Sequence, residues 1–350
     1  MNNTSSNSVF AATRAPNPGW LCRAESEPVL EPELSIIDSH MHLWEHKTGY
    51  TYFVKEFAED VATCGHKIDS TVFIECRSMY RSRGPEHIKS VGETEFASGM
   101  AAIAASGIYT SCRVADAIVG FADLTSGEKL RETIEAHMSV ANGRFRGIRQ
   151  GAKWDADRTI KGSLPNARPG LYLDPSFAIG LEMLTAMGLS FDASVFHPQI
   201  QDVATLARAH PNTRIVVNHL GSPLGYATYE SRRSEVRAAW LSSMRDLAQC
   251  PNVSVKLGGL LMCLGNFDFT QEKKPPDSVQ LAELWRPYIE PCIELFGANR
   301  CMASSNFPVE KAGVPYGTLW NTFKRVTAGC SEYEKKMIFS GTARRFYNMD

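Results

Sequence analysis

The chain has 350 residues, 43% hydrophobic and 21% charged, enough for the core of one large α/β domain or two ordinary ones. Lys and Arg total 37 against 38 for Asp and Glu, so no overall field favours nucleic acid or an anionic membrane, and a small molecule is the expected partner. Nine cysteines without a CxxC pair, an odd number, suit reduced thiols in the cytosol.

The first 20 residues, "MNNTSSNSVFAATRAPNPGW", are polar and lack the basic start and apolar stretch of a signal peptide. No apolar run approaches the roughly 20 residues of a membrane-spanning helix. Residues 1–33, rich in Ser, Asn and Pro, read as an irregular arm that either wraps the domain or stays disordered, with 34–350 forming the folded domain.

From there, short β-rich runs alternate with helical segments. The runs are "LSIID" (34–38), "STVFIEC" (70–76), "AIVGFAD" (117–123), "FRGIRQ" (145–150), "LSFDASV" (189–195), "TRIVVNH" (213–219), "NVSVKL" (252–257) and "RCMASS" (300–305). Helical periodicity covers 91–106, 127–141, 175–187, 199–210, 233–249 and 281–296, with Pro or Gly often marking the breaks. The segment 264–280, with its prolines and charges, reads as a long solvated loop. Regular βα alternation implies a parallel sheet, and eight units closing on themselves give a TIM-like (β/α)8 barrel. An open doubly wound sheet is the rival, but the GxGxxG turn it commonly carries after its first strand is absent.

In such a barrel the chemistry sits at the carboxyl ends of the strands, and polar residues fall there repeatedly. "IIDSHMHLWEH" ends the first strand with His40 and His42, which strand alternation places on one face together with Asp38. Glu75 ends the second strand, Arg149 the fourth, His197 follows the fifth, His219 ends the sixth, Lys256 lies in the seventh and Asn306 follows the eighth. Two neutral imidazoles side by side are natural ligands for a divalent metal, zinc first, with His219, or else His197, as a further ligand. Each residue also has a purely structural reading. His219 suits a core histidine bonded to a carbonyl, His197 a loop cap, and Glu75 either an inward acid or a rim partner of Arg77. A lysine in a segment as apolar as that around Lys256 is costly unless paired. Arg149 is the strongest substrate clamp, because its planar fork binds two oxygens at once, whereas Arg146 belongs to the exterior. Tyr80 and Arg81, with Trp154 and Tyr172, are candidates for lining an aromatic-accepting pocket, and each is equally a packing or surface residue. Cys76 and Cys301 are expected to be buried small hydrophobes.

"DSHMHLW", "FHPQ", "VVNHLGSPLG", "VKLGGL" and "SNFPVEK", in this order, resemble the amidohydrolase superfamily, in particular its amidohydrolase-2 branch of lactonases. The likeness runs from about residue 34 to the C-terminus and takes in "GETEF" and "LWNTFKR". It implies a distorted TIM barrel, usually lactone hydrolysis, and either one divalent metal or none. By this likeness His40, His42, His197 and His219 match family histidines and Arg149 a substrate-clamping position. Gln199 is a substrate-side candidate and equally suits the opening of the following helix. The departures bear on mechanism. Many relatives end the eighth strand with a proton-accepting aspartate, where this chain has Asn306, an amide that accepts no proton at neutral pH. Ser304 stands where relatives with the SNFP variant often have an acid, and Gln150 where many have histidine. With the aspartate gone, Glu75 is the remaining base, acting on a metal-activated water beside Lys256 and His197. Metal-free decarboxylation, dehydration or isomerisation of an acidic or phenolic compound is the alternative. A homodimer is the expected assembly.

Overall fold

The computed structural model describes residues 15–45, 50–160, 162, 166–264 and 269–350. Eight parallel strands form one sheet in sequential order. They are β1 (Ile36–Met41), β2 (Ile68–Ile74), β3 (Arg113–Gly120), β4 (Phe145–Arg149), β5 (Ser190–Ala193), β6 (Ile215–Val217), β7 (Val253–Lys256) and β8 (Cys301–Met302). The circle closes just beyond β8. Met41 bridges Phe307 in parallel, His42 N donates to Phe307 O at 2.7 Å, and Asn306 N donates to His40 O at 2.8 Å. The fold is a TIM-type α/β barrel, distorted where the two-residue β8 meets β1.

Helices follow every strand on the outside: α1 (Val54–Cys64), α2 (Val91–Ala105), α3 (Lys129–Val140), α4 (Pro175–Ala186), α5 (Ile200–Ala209), α6 (Arg233–Ala248), α7 (Ser278–Phe296) and α8 (Tyr316–Val326). Their ends follow local chemistry. Asp174 caps α4 by accepting from Ser176 N, Asp277 caps α7 by accepting from Gln280 N, and Gly65 ends α1 in the left-handed conformation at φ 72°. Their apolar faces and the outward strand residues, Phe73, Ile148 and Phe191 among them, make the main core. Each fully buried side chain of this size contributes about 1.5–3 kcal/mol.

The inward strand residues form a second, smaller core. Ile37, Val72, Ile74, Val119, Val216 and Met302 meet Ala343, Phe346, Tyr347 and Met349, so the C-terminus plugs one end of the barrel. Of the arm, the described part wraps the domain. Trp20 is buried and donates from Nε1 to Glu272 O at 2.9 Å, which ties the arm to the 264–280 excursion. The Lys324 ammonium donates to Leu30 O and Glu31 O at 2.8 and 2.7 Å. All nine cysteines are free thiols, and none of the described helices is long and apolar enough to cross a membrane.

One expectation about β1 is overturned. Asp38 does not share a face with the histidines, because the strand register shifts between Asp38 and Met41. Its carboxylate instead accepts from Ser305 N at 2.8 Å and Tyr316 OH at 2.9 Å.

Candidate active site

The register shift brings His40 and His42 to the carboxyl ends of the strands with their rings 4.9 Å apart, and His219 lies 4.5 Å from His40. His42 donates from Nδ1 to Ile74 O at 2.7 Å and His219 from Nδ1 to Gly258 O at 3.1 Å, which leaves each Nε2 with a lone pair. Burial first, then the positive charge of Lys256, holds His40 well below its ordinary value. Burial and Arg149 push His42 down to about 3, and burial with Lys153 and Arg149 lowers His219 strongly. All three are neutral imidazoles at physiological pH.

The backbone that presents them is strained. His219 and Leu220 both lie in the left-handed region, at φ 52° and 51°, and Asn306 does so at φ 55°. For the non-glycine, non-amide pair this costs about 1–2 kcal/mol per residue. The "VKLGGL" glycines make the room. A Cβ on Gly259, itself at φ 81°, would fall 2.1 Å from His219 Nδ1, and one on Gly258 would fall 1.8 Å from Ser304 O.

Glu75 lies just beyond β2, buried, and its partner is Arg149 rather than Arg77. Arg149 Nε donates to Glu75 Oε1 at 2.8 Å, Nη2 to Glu75 O, and Nη1 to His40 Nε2 at 3.3 Å. Among the described residues Glu75 Oε2 and His40 Nδ1 are buried without a hydrogen-bond partner, so this chain ends in one open acceptor and one open ring nitrogen. Behind Glu75 stands Glu93 of α2, which accepts from Cys76 N at 2.9 Å and Ser78 N at 2.8 Å and thereby shapes the turn. Burial, with Glu75 nearby, raises Glu93 to about 8.

Lys256 is fully buried, as its apolar segment requires, and is paired. Its Nζ donates to Asp192 Oδ2 at 2.8 Å, Asn218 Nδ2 donates to the same oxygen at 3.0 Å, and Tyr347 OH donates to Asp192 Oδ1 at 2.9 Å. Burial lowers the lysine to about 8 although Asp192 opposes the shift. Asn306 hydrogen-bonds His42 through its side chain and donates from Nδ2 to Glu310 Oε1 at 3.3 Å. Glu310 also accepts from Leu261 N and Met262 N, and burial raises it to about 7.

Other sequence candidates lie elsewhere or do structural work. Gln150 accepts from Leu124 N and donates to Asp123, fastening the β3–α3 loop. Gln199 accepts from Trp154 N at 3.3 Å and donates to Ala152 O. Arg81 is committed to Glu95 at a half-exposed surface, and Arg146 bonds Asn348 O at the opposite barrel end. Tyr172 packs against Phe177 and Phe191, and its hydroxyl donates to Gln150 O at 2.6 Å. Ser304 is buried against Gly258, with an Oγ that has no partner among the described residues. His197 pairs with another group: its ring is 5.2 Å from that of Tyr229, whose hydroxyl donates to Asp155. Tyr80 lines a cleft of about 730 Å³ with Arg77, Phe121 and Asp123.

The family model described as "Amidohydrolase" (amidohydrolase-2) matches residues 37–349. The chain belongs to the amidohydrolase-2 family. This amidohydrolase is 31% identical to the protein y4mH of Sinorhizobium fredii over 330 residues, 91% of this chain and 99% of the relative. It is 24% identical to the L-fucono-1,5-lactonase of Burkholderia ambifaria, over 90% of this chain and 96% of that one. The crystal structure of an amidohydrolase from Burkholderia multivorans with bound zinc superimposes with a TM-score of 0.68 at 22% identity, covering 90% of this chain and 99% of its own.

In this amidohydrolase the residues do not fit a divalent ion. Arg149 occupies the Nε2 side of His40, Glu75 and Asp192 are paired with Arg149 and Lys256, and the eighth strand contributes an amide instead of a carboxylate. Among the described residues no group of three or more His, Cys, Asp or Glu is arranged to hold a metal ion. His40, His42 and His219 thus come together as expected, but beside cations. Sequence reasoning missed Lys153, Asp192, Glu93 and Glu310. Asp192 carried a usable signal, a carboxylate inside an apolar strand, which is as costly unpaired as Lys256.

Proposed function

We propose that this amidohydrolase hydrolyses a lactone or related cyclic ester of a small organic molecule, with Glu75 as the base. The observation that carries the reading is the buried Oε2 of Glu75, without a hydrogen-bond partner among the described residues, whose other oxygen is locked to Arg149 within reach of His40. The lactonase relatives at 24% identity support the same chemistry. Glu75 takes a proton from water as the water oxygen attacks the lactone carbonyl. The cations around the imidazoles stabilise the resulting oxyanion. Collapse breaks the carbon–oxygen bond of the ring, and the proton held by Glu75 passes to the departing ring oxygen, giving the open hydroxy acid. Lys256 and Asn306 act on the imidazoles: the first adds to burial in keeping His40 neutral, and the second holds His42. His197, next to Asp155, serves the edge of the site.

A metal-free acid–base reaction without water is the second reading, favoured by the amide of Asn306. Turnover of a lactone panel in oxygen-18 water separates the two. Label in the product carboxylate and proton release are expected, and an unlabelled product from an accepted substrate overturns hydrolysis. Prior dialysis against a chelator should leave the rate unchanged, and a loss restored by zinc would overturn the metal-free steps.

A further inference from the structure

Three buried cations surround the imidazoles, and only two are neutralised. Arg149 is paired with Glu75 and Lys256 with Asp192. Lys153 is 7% exposed, and its ammonium forms no hydrogen bond or ion pair among the described residues. Its one close contact is the face of Phe196, 5.6 Å from ring centroid to Nζ. Most of the side chain is buried while Nζ keeps contact with solvent, so the ammonium is only partly desolvated and stays open to a ligand.

The position of this lysine is held on both sides. Ala152 N donates to Ser194 O at 2.9 Å, Gln199 donates to Ala152 O, and Trp154 N donates to Gln199 Oε1 at 3.3 Å. The segment after β4 is thereby stitched to the end of β5, which also gives Gln199 its function. The ammonium lies at the carboxyl ends of β4 and β5, where Ala152 is tied to Ser194 and Nζ faces Phe196, and its charge adds to burial in lowering His219. With neutral histidines and two closed ion pairs, Lys153 is the one of these three cations without a carboxylate partner among the described residues. One unpaired cation suits a monoanion better than a doubly charged phosphate.

We propose that Lys153 is a substrate-binding residue that pairs with a carboxylate on the ligand, so that the substrates of this enzyme are monocarboxylates. The inference rests on the site assigned above but not on the hydrolytic step, and its test needs no turnover. Small aliphatic and aromatic monocarboxylates, each with its primary amide, are titrated calorimetrically at low salt into the full-length protein and into its Lys153→Met and Lys153→Arg variants. The wild type should bind the acids about tenfold or more tightly than the amides, the usual range for a charge-assisted contact. Lys153→Met should erase that preference by weakening the acids alone, and Lys153→Arg should keep most of it. The free Lys153→Met protein should melt close to the wild type, because Met keeps the packing against Phe196 and Lys153 makes no hydrogen bond among the described residues. Equal binding of acids and amides by the wild type, an unchanged preference in Lys153→Met, or a lowered melting temperature of that variant would each overturn the assignment. An enzyme that binds acids through Lys153 yet opens no lactone would overturn the hydrolytic reading alone.

Discussion

The two ends of the barrel are built from the same strands and differ in almost every other respect. At one end Ile37, Val72 and Met302 close around Phe346 and Tyr347, and the side chains are apolar or, like the Tyr347 hydroxyl, bonded. At the other, imidazoles stand beside cations, backbone turns left-handed at His219, Leu220 and Asn306, and Glu75 Oε2 and His40 Nδ1 lack partners among the described residues. Stability is concentrated where polar groups are satisfied, and reactivity where they are not. The Lys256–Asp192–Tyr347 chain joins the two, since the plug bonds the carboxylate that pairs with the lysine beneath His40.

This contrast can be broken by substitution. Glu75→Gln, which keeps the shape but removes the base, should lower lactone hydrolysis by about 10²–10⁴-fold with an unchanged circular dichroism spectrum; a surviving rate would remove Glu75 from the mechanism. Tyr347→Ala, at the sealed end, should cost about 3–5 kcal/mol in urea unfolding, the loss expected for emptying a fully buried aromatic site. Gly259→Ala should cost about 1–2 kcal/mol through its positive φ. It should also displace His219, visible as a changed histidine resonance and a slower reaction. A further effect is on pH dependence. Glu310 is raised to about 7 from an ordinary 4.5, so the folded protein holds this proton more tightly than the unfolded chain does. Its contribution to stability is complete below about 4.5 and is lost as pH rises through 7, and Glu93, raised to about 8, acts in the same direction. Glu310→Gln should make unfolding free energy fall less steeply between those values, and an unchanged slope would show that Glu310 does not titrate there.

Much of the framework was legible in the chain itself. All eight apolar runs became strands, because β-branched and aliphatic residues buried on both faces have little alternative. β3 begins four residues before its apolar run, since Arg113 and Asp116 hide its start and Ala115 adopts a positive φ. α1 escaped notice although Gly65 marks its end, and β8 proved shorter than its run because the chain leaves the ladder to cross to β1.

Sequence alone thus determined the alternation of strands and helices, and hence which polar residues arrive at the strand ends, because period and position along a strand are local properties. Partners were decided only in three dimensions. Glu75 pairs with Arg149 across 74 residues and Lys256 with Asp192 across 64, distances over which no periodicity carries information. The turning of Asp38 away from the histidines depends on a register shift in pairing with β2, and the isolation of Lys153 on what its neighbours bond instead. Charges acquire their roles from what stands within a few ångströms of them, and that is a property of packing.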